Sequence, residues 1–393
     1  MRAVIMGCGR VGSTLALMLD AEGHEVSVVD MDSGAFRRLG EHFGGRTISG
    51  IGINADVLRA AGIEGADTFI AVTNGDNSNI MASQIAKVRF KIPRVMARIY
   101  DPLRAEVYRE VGIETLCITV LGAGILYDRL FNRPYQGIEE YWSLTHQVHK
   151  LYAADLPTPD QLAKQRAEAK GKHRNYVLIA GGGKVGYQLG RTLIQKGEEV
   201  LVLEKRPQRY QLLHDELGEN VFFGDACEIR TMVRVGMERA DLVVAVTGDD
   251  EDNLVICQVA KRWFGVPRAI GRVNNPHNEE IFRVLGVDET ISTTRLMFQL
   301  IEQEVSTREL VPLSLLRKGD LEVVEVELPA SSPALRKPVK KLNLPHGCLL
   351  AACVRGNSSQ VVTGDTVLRE RDRVVALTEP GSVAALRQAL LGG

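Results

Sequence analysis

Shifted by 174 residues, the chain falls on itself without a gap over about 110 positions. Gly7, Gly9 and Gly12 land on Gly181, Gly183 and Gly186, Asp30 on Glu204, Gly50 on Gly224, and Gly62 on Gly236. Ala71-Val72-Thr73 lands on Ala245-Val246-Thr247, Asp76 and Asn79 on Asp250 and Asn253, Ala86-Lys87 on Ala260-Lys261, and Pro93-Arg94 on Pro267-Arg268. Arg98, Pro102 and Gly112 land on Arg272, Pro276 and Gly286. Chance does not give this, so one domain has been duplicated within the chain.

Each repeat opens on a glycine loop, Gly7-Cys8-Gly9-Arg10-Val11-Gly12 or Gly181-Gly182-Gly183-Lys184-Val185-Gly186. Each loop follows a short apolar run, Ala3–Met6 or Tyr176–Ala180, and leads into a helical pattern. In that context the first glycine permits a tight turn, the second lets backbone approach phosphate oxygens, and the third lets helix pack closely on strand. The free N–H groups and the dipole of the helix start favour an anion there.

In the first repeat, Val4–Met6, Val26–Val29, Phe69–Val72 and Arg94–Arg98 read as strands, and a helix runs through Leu15, Leu17 and Leu19 to Gly23. Short apolar runs alternating with helical patterns predict a parallel sheet covered on both faces. The expected fold class is α/β: two tandem doubly wound, Rossmann-like domains with parallel sheets. Residues 121–132 form an apolar helix beyond the first sheet, with 294–304 its counterpart, either an interaction helix or core. The expected domains are therefore 1–132 and 175–306, joined by a connector at 133–174 whose polar run Gln161–Arg174 predicts little structure. His146 and His149 lie in the connector without a further ligand set, and surface histidines are expected rather than a metal site.

From Val311 onward the pattern changes to a small α+β lobe, 311–393, that occurs once. Leu321–Leu328 alternates like a strand, and Ser332-Pro333 predicts a helix start. Leu349–Val354 and Gln360–Val362 flank the turn signal Gly356-Asn357, Arg373–Thr378 is a further strand, and a last helix runs from Ser382 to Gly392.

The formal net charge of −1 argues against a polyanion-binding surface, so nucleic acid is not an expected partner. No apolar run approaches the roughly 20 residues of a membrane-spanning helix, so membrane association is expected to be peripheral, through a partner. The six cysteines, Cys8, Cys117, Cys227, Cys257, Cys348 and Cys353, form no CxxC pair and read as reduced cytoplasmic thiols.

The candidate site residues lie where the strands end. Asp30 follows Gly12 by 18 residues, and an acid there accepts from adenosine ribose hydroxyls and repels a 2′-phosphate. Glu204 holds the same place in the second repeat, so NAD or an adenine nucleotide is expected over NADP. Arg10 and Lys184 stand at helix starts against the dipole, which assigns them to phosphate, in their own subunit or a neighbour's, with a solvated cation as the alternative. Thr73, Asn74, Thr247 and Gly248 follow strand four, where open α/β sheets place ligands. Asp249-Asp250-Glu251-Asp252 reads as helix N-terminal acids, and Arg98 and Arg272 as either phosphate or ribose contacts or internal ion pairs. No catalytic residue and no metal ligand set is expected.

Glycine loop, terminal Asp30, Ala71-Val72-Thr73 and Arg98 together resemble the N-lobe of RCK domains, regulators of potassium conductance, and Val311–Leu391 resembles their C-lobe. The order of parts is similar to the TrkA-type RCK family, peripheral cytoplasmic subunits of Trk potassium uptake systems. The resemblance implies NAD(H) or ATP/ADP at up to two sites per chain, assembly into a homo-oligomer (dimer or tetramer), and docking on the inner face of the cell membrane through a Trk-type potassium channel or transporter subunit. It places the first nucleotide on Gly7 to Val11, Asp30, Thr73, Asn74 and Arg98, and the second on Gly181 to Val185, Glu204, Gly248 and Arg272. The family's Gly-Asp after strand three is Gly224-Asp225 in the second repeat but Gly50-Ile51 in the first, so the two sites are expected to differ in nucleotide preference. The first repeat also lacks a C-lobe of its own. The function so implied is a nucleotide sensor that gates a potassium transporter and is not an enzyme; the alternative is an NAD-dependent oxidoreductase.

Overall fold

Both glycine loops follow strands with buried side chains on both faces, as parallel strands under two helical layers must be. In the computed structural model, which describes residues 1–131, 133–134, 140–141, 156–169, 175–292, 294–295, 297–298, 310–315, 322–356 and 358–392, these are β1 (Arg2–Met6) and, in the second repeat, β7 (Tyr176–Ala180). β1 pairs in parallel with β2 (Glu25–Asp30) on one side and β4 (Thr68–Ala71) on the other, with Met6 opposite both Val29 and Ala71. With β3 (Arg46–Ser49), β5 (Arg94–Arg98) and β6 (Glu114–Leu116) the order is β3-β2-β1-β4-β5-β6. The second repeat forms β8 (Glu199–Glu204), β9 (Val221–Phe223), β10 (Leu242–Ala245), β11 (Arg268–Arg272) and β12 (Glu289–Ile291), in the order β12-β11-β10-β7-β8-β9. In both sheets the winding reverses beside the first strand, and that is the crevice where open α/β sheets bind ligands.

The two sheets share one compact unit, Met1–Thr294, and meet through equivalent helices. α2 (Asp76–Gln84) packs on its repeat-mate α6 (Asp250–Arg262), and Gln84 Nε2 donates to Gln258 Oε1 at 3.3 Å. These two residues are themselves repeat-mates, so the contact has an internal two-fold character like an isologous dimer interface. Ile80, Met81, Leu254, Val255 and Ile256 are wholly buried in the joint core.

Between the first strand and second of each repeat run α1 (Arg10–Ala21) and α5 (Lys184–Gln195). α3 (Ile118–Leu130) follows the first sheet where an apolar helix was expected. Its expected counterpart at 294–304, like His146 and His149, lies largely or wholly outside the described residues. Within the connector, α4 (Pro159–Ala169) is a helix where the polar run predicted little structure. The overlooked signal is a capping box: Thr158 N donates to Gln161 Oε1 at 2.8 Å and Gln161 N returns a bond to Thr158 Oγ1 at 3.3 Å. Leu162 is buried, and Arg166 donates to the carbonyls of Glu238 and Ala240 at 3.0 Å each, fastening the helix to the second repeat.

Among the described residues of the second unit, Arg295–Gly393, a five-stranded antiparallel sheet packs against a C-terminal helix. Its order is β13 (Leu310–Leu315), β14 (Glu322–Glu327), β17 (Arg373–Thr378), β15 (Cys348–Arg355) and β16 (Ser358–Val361), and Val324, Val326, Val374 and Ala376 share a core with Leu386 and Leu390 of α7 (Val383–Leu391). β13 begins ahead of the expected first strand. Pro312 hides it in the sequence, and is tolerated because β13 is an edge strand with an irregular register between Pro312 and Ser314. Gly356, at a φ of 57°, begins the expected β15–β16 turn, while Asn357 lies outside the described residues. The helix expected after Ser332 does not form. Ser332 Oγ instead donates to the Leu390 carbonyl at 2.5 Å, and Pro338 keeps the segment before it out of helical geometry.

Asp372 ties this unit internally. Its buried carboxylate accepts from Arg355 Nε at 2.7 Å, Arg355 Nη2 at 2.6 Å and Arg369 N at 2.7 Å. The Arg355 hydrogen bonds outweigh burial and hold its pKa below the ordinary carboxylate value. A depressed pKa contributes stability above the unfolded-state value and loses it as pH falls through the folded one. Arg355→Met is expected to cost about 3 kcal/mol at neutral pH, because it strands a buried charge. The difference from wild type in denaturant unfolding should shrink as the pH drops below about 4.

Candidate functional site

The outer glycines of each loop are demanded by the protein itself. Gly7 and Gly181 have φ of 106° and 104°, and a Cβ on either would stand 2.9 Å from the backbone N of Thr73 or Thr247. A Cβ on Gly12 or Gly186 would stand 1.8 or 1.9 Å from the carbonyl oxygen of Gly7 or Gly181. The middle glycines are different. Gly9 and Gly183 have φ of −73° and −65°, open to any residue, and a Cβ on either meets nothing within 4 Å. They also begin α1 and α5, neither of which has a side-chain cap or an acid in its first turn. Among the described residues, the first-turn N–H groups therefore face the open space without a side-chain acceptor. Arg10, Val11, Lys184 and Val185 are exposed at these helix starts, while the Cys8 side chain is buried with Sγ 3.5 Å from the Ala35 carbonyl.

The acids ending the second strands hold the loops. Asp30 Oδ2 accepts from Cys8 N at 2.6 Å and Oδ1 from Asp32 N at 2.9 Å. Glu204 Oε2 accepts from Gly182 N at 3.1 Å, the equivalent bond. Glu204 is also clasped by Arg206, whose N and Nε donate to Oε1 at 2.9 Å each and whose Nη2 donates to Oε2 at 3.0 Å. Burial alone would raise the Glu204 pKa, but the Arg206 hydrogen bonds and charge, with the Gly182 N–H, bring it below the ordinary value.

At the fourth strands an asparagine organises the loop. Asn79 Oδ1 accepts from Thr73 N at 2.9 Å and Oγ1 at 2.7 Å, and its Nδ2 donates to the carbonyls of Thr73 at 3.0 Å and Arg98 at 2.9 Å. Asn253 does the same for Thr247 and Arg272. The repeat alignment exposed this pair without showing its role: it binds the ends of strands four and five together. Asn74 and Gly248 are exposed beside these threonines.

Among the described residues neither Arg98 nor Arg272 forms an ion pair. Arg98 donates to the Thr73 carbonyl and lies over the Tyr100 ring at 4.6 Å. The Nε of each is buried without a hydrogen-bond partner, an orphaned donor at the head of each crevice.

In the second repeat these parts enclose a cavity of about 270 Å³ lined by Gly183, Glu204, Lys205, Asp225, Thr247 and Arg272, among others. Lys205 was not singled out by sequence, although it directly follows the strand-end acid. Its Nζ sits 2.9 Å from Asp252 Oδ2 and 3.5 Å from Asp225 Oδ2. Burial would lower its pKa, but the two carboxylates raise it. Asp252 in turn accepts from Asn77 Nδ2 of the first repeat at 2.8 Å, and Asn77 Oδ1 accepts from Arg104 Nη1 at 2.5 Å. Polar contacts thus run from the second cavity into the first repeat. The acidic run around Asp252 is more specific than helix-start acids: Asp250 accepts from Asn274 N and Asn275 N at 2.6 and 3.1 Å, fixing the loop after β11.

Two glycine-loop crevices at the switch points of two duplicated parallel sheets define a tandem doubly wound protein. The TrkA-N domain model matches residues 3–119 and 177–293, and the TrkA-C domain model matches 323–391. The chain belongs to the TrkA family, with two TrkA-N domains and one TrkA-C domain. It is 51% identical over 142 residues to the Trk system potassium uptake protein TrkA of Streptomyces coelicolor, a match covering 36% of this chain and 62% of that protein. It is 38% identical over 211 residues to the Mycobacterium tuberculosis protein of the same name (52% of this chain, 93% of that one). It is 26% identical to that of Halomonas elongata over 95% of both chains. Among solved structures, the GsuK channel bound to NAD is similar at a TM-score of 0.32, with 16% identity over 99% of this chain and 78% of that one. GsuK bound to ADP is similar at 0.30, with 17% identity over 77% of this chain and 68% of that one.

Proposed function

We propose that the chain is a nucleotide-sensing regulatory subunit of a membrane potassium transporter, as its TrkA relatives' names suggest, binding NAD(H) or ATP/ADP in both glycine-loop crevices. The observation that carries this is the middle glycine. Nothing inside the protein requires glycine at Gly9 or Gly183, yet both repeats keep it at an uncapped helix start facing open space. A phosphate group seated there meets free N–H donors and has room that a side chain would take. Arg98 or Arg272 supplies a further donor at the opposite strand end.

A ligand moves protein only by binding one arrangement more tightly than another. The second crevice offers a route: a ligand phosphate or ribose that draws Lys205 from Asp252 alters the contact that Asp252 makes with Asn77. Exposed Leu126 and Leu130 on α3, with Phe131 just beyond its end, supply an apolar face for assembly into a homo-oligomer, which would sit on the inner face of the membrane through a Trk-type transporter subunit. Asp30→Ala is expected to weaken ADP or NADH binding at the first crevice about tenfold, measured by calorimetry, since a ribose acceptor is lost. Unchanged affinity would remove Asp30 from the site.

A further inference from the structure

Resting on that reading of the crevices, we infer that the two sites differ at the ribose: the second accepts adenosine carrying a 2′-phosphate, as in NADP(H), whereas the first takes the free 2′-hydroxyl. The sequence expectation treats Asp30 and Glu204 alike, because both end a second strand. Their hydrogen bonds separate them. A carboxylate offers about four lone-pair positions. Glu204 receives four hydrogen bonds, three from Arg206 and one from Gly182 N, and its side chain is only 3% exposed. It has no position left for a ribose hydroxyl. Asp30 receives two, from Cys8 N and Asp32 N, and keeps the rest for a ligand.

The neighbouring residues follow the same division. The second repeat places Lys205 and Arg206 directly after the strand-end acid, both exposed, where the first repeat has Met31 and Asp32. In a doubly wound fold the pyrophosphate lies on the glycine loop, whereas the end of the second strand faces the adenosine ribose. A guanidinium there accommodates a 2′-phosphate, and an uncompensated acid rejects it. At the second site the Glu204 charge is already neutralised by Arg206, and Lys205 is held within reach of the cavity by Asp252 and Asp225. At the first site the strand end carries two acids, Asp30 and Asp32, neither of which forms an ion pair among the described residues; the nearby Arg38 donates instead to the Cys8 carbonyl at 3.4 Å.

The test uses the full chain carrying Gly9→Val, which fills open space at the first site and leaves the second free. Calorimetry with NADP⁺ and NAD⁺, and with 2′,5′-ADP and 5′-ADP as probes lacking the nicotinamide, reads the 2′-phosphate alone. The expected result is tighter binding of NADP⁺ than NAD⁺, and of 2′,5′-ADP than 5′-ADP, by at least about tenfold, with the advantage lost in Arg206→Gln. If Arg206→Gln proves unstable, the converse remains: Asp32→Arg in the Gly183→Val chain should gain affinity for NADP⁺ at the first site. NAD⁺ bound as tightly as NADP⁺ by the Gly9→Val chain would overturn the inference while leaving the nucleotide reading intact. No binding of any of the four compounds would overturn both.

Discussion

Gly186→Ala is expected to lower the stability of the chain by about 3 kcal/mol or more, whereas Gly183→Ala, three residues earlier, should stay within about 1 kcal/mol of wild type. The added methyl group is the same; its surroundings are not. At Gly186 it would stand 1.9 Å from the Gly181 carbonyl oxygen, a backbone atom with no freedom to yield without moving β7 against α5. At Gly183 it would meet nothing within 4 Å, and the backbone there suits alanine. Gly12→Ala and Gly9→Ala should divide the same way. Equal destabilisation by both members of a pair, in urea unfolding of the purified chain, would contradict the packing described.

The second large effect is expected at Asn253. Asn253→Ala removes bonds to Thr247 N, Thr247 Oγ1 and the carbonyls of Thr247 and Arg272 from a residue with no exposed surface. Buried groups left unpaired cost about 1–3 kcal/mol each, so the loss should reach about 4 kcal/mol even with partial relaxation. Because the same bonds hold Thr247 and Arg272 at the crevice, nucleotide affinity should fall along with stability. Asn253→Asp is the informative companion. It keeps the acceptor but sets a buried carboxylate oxygen against the carbonyls of Thr247 and Arg272, so at neutral pH it should be no more stable than Asn253→Ala. A melting temperature unchanged in Asn253→Ala would show that the strand ends are held elsewhere.

Much of the fold was legible because duplication prints the same pattern twice. Coincident glycines, the Asp30–Glu204 match and the Ala-Val-Thr triplets fix two parallel sheets and mark the strand ends that form the crevices. What escaped was set by partners distant in sequence or by local competition. That Asp30 and Glu204 hold the N–H of Cys8 and Gly182 follows from strands lying side by side. That Arg206 fills the Glu204 acceptors could be suspected from their spacing, but only geometry shows all of the lone pairs taken. Asn79 and Asn253 stood out in the alignment, yet their role depends on strand five returning beside strand four. The capping box at Thr158 was readable and was outweighed by the polar composition around it. Pro312 disguised β13, because edge position is a property of the finished sheet. Ser332-Pro333 carried a true helix-start signal that Pro338 overruled.

The most direct measurement is calorimetric titration of the full chain with ADP and with NADH, set beside the same titrations of the double variant Gly9→Val, Gly183→Val. Both glycines face open space, so the variant should keep the wild-type circular dichroism and lose no more than about 1 kcal/mol of stability at each site. Wild type should bind, and the variant should lose affinity at least about a hundredfold, since valine occupies the room a phosphate needs. An equally tight variant, or a wild-type chain that binds no adenine nucleotide, would show that these loops are not where this protein senses anything.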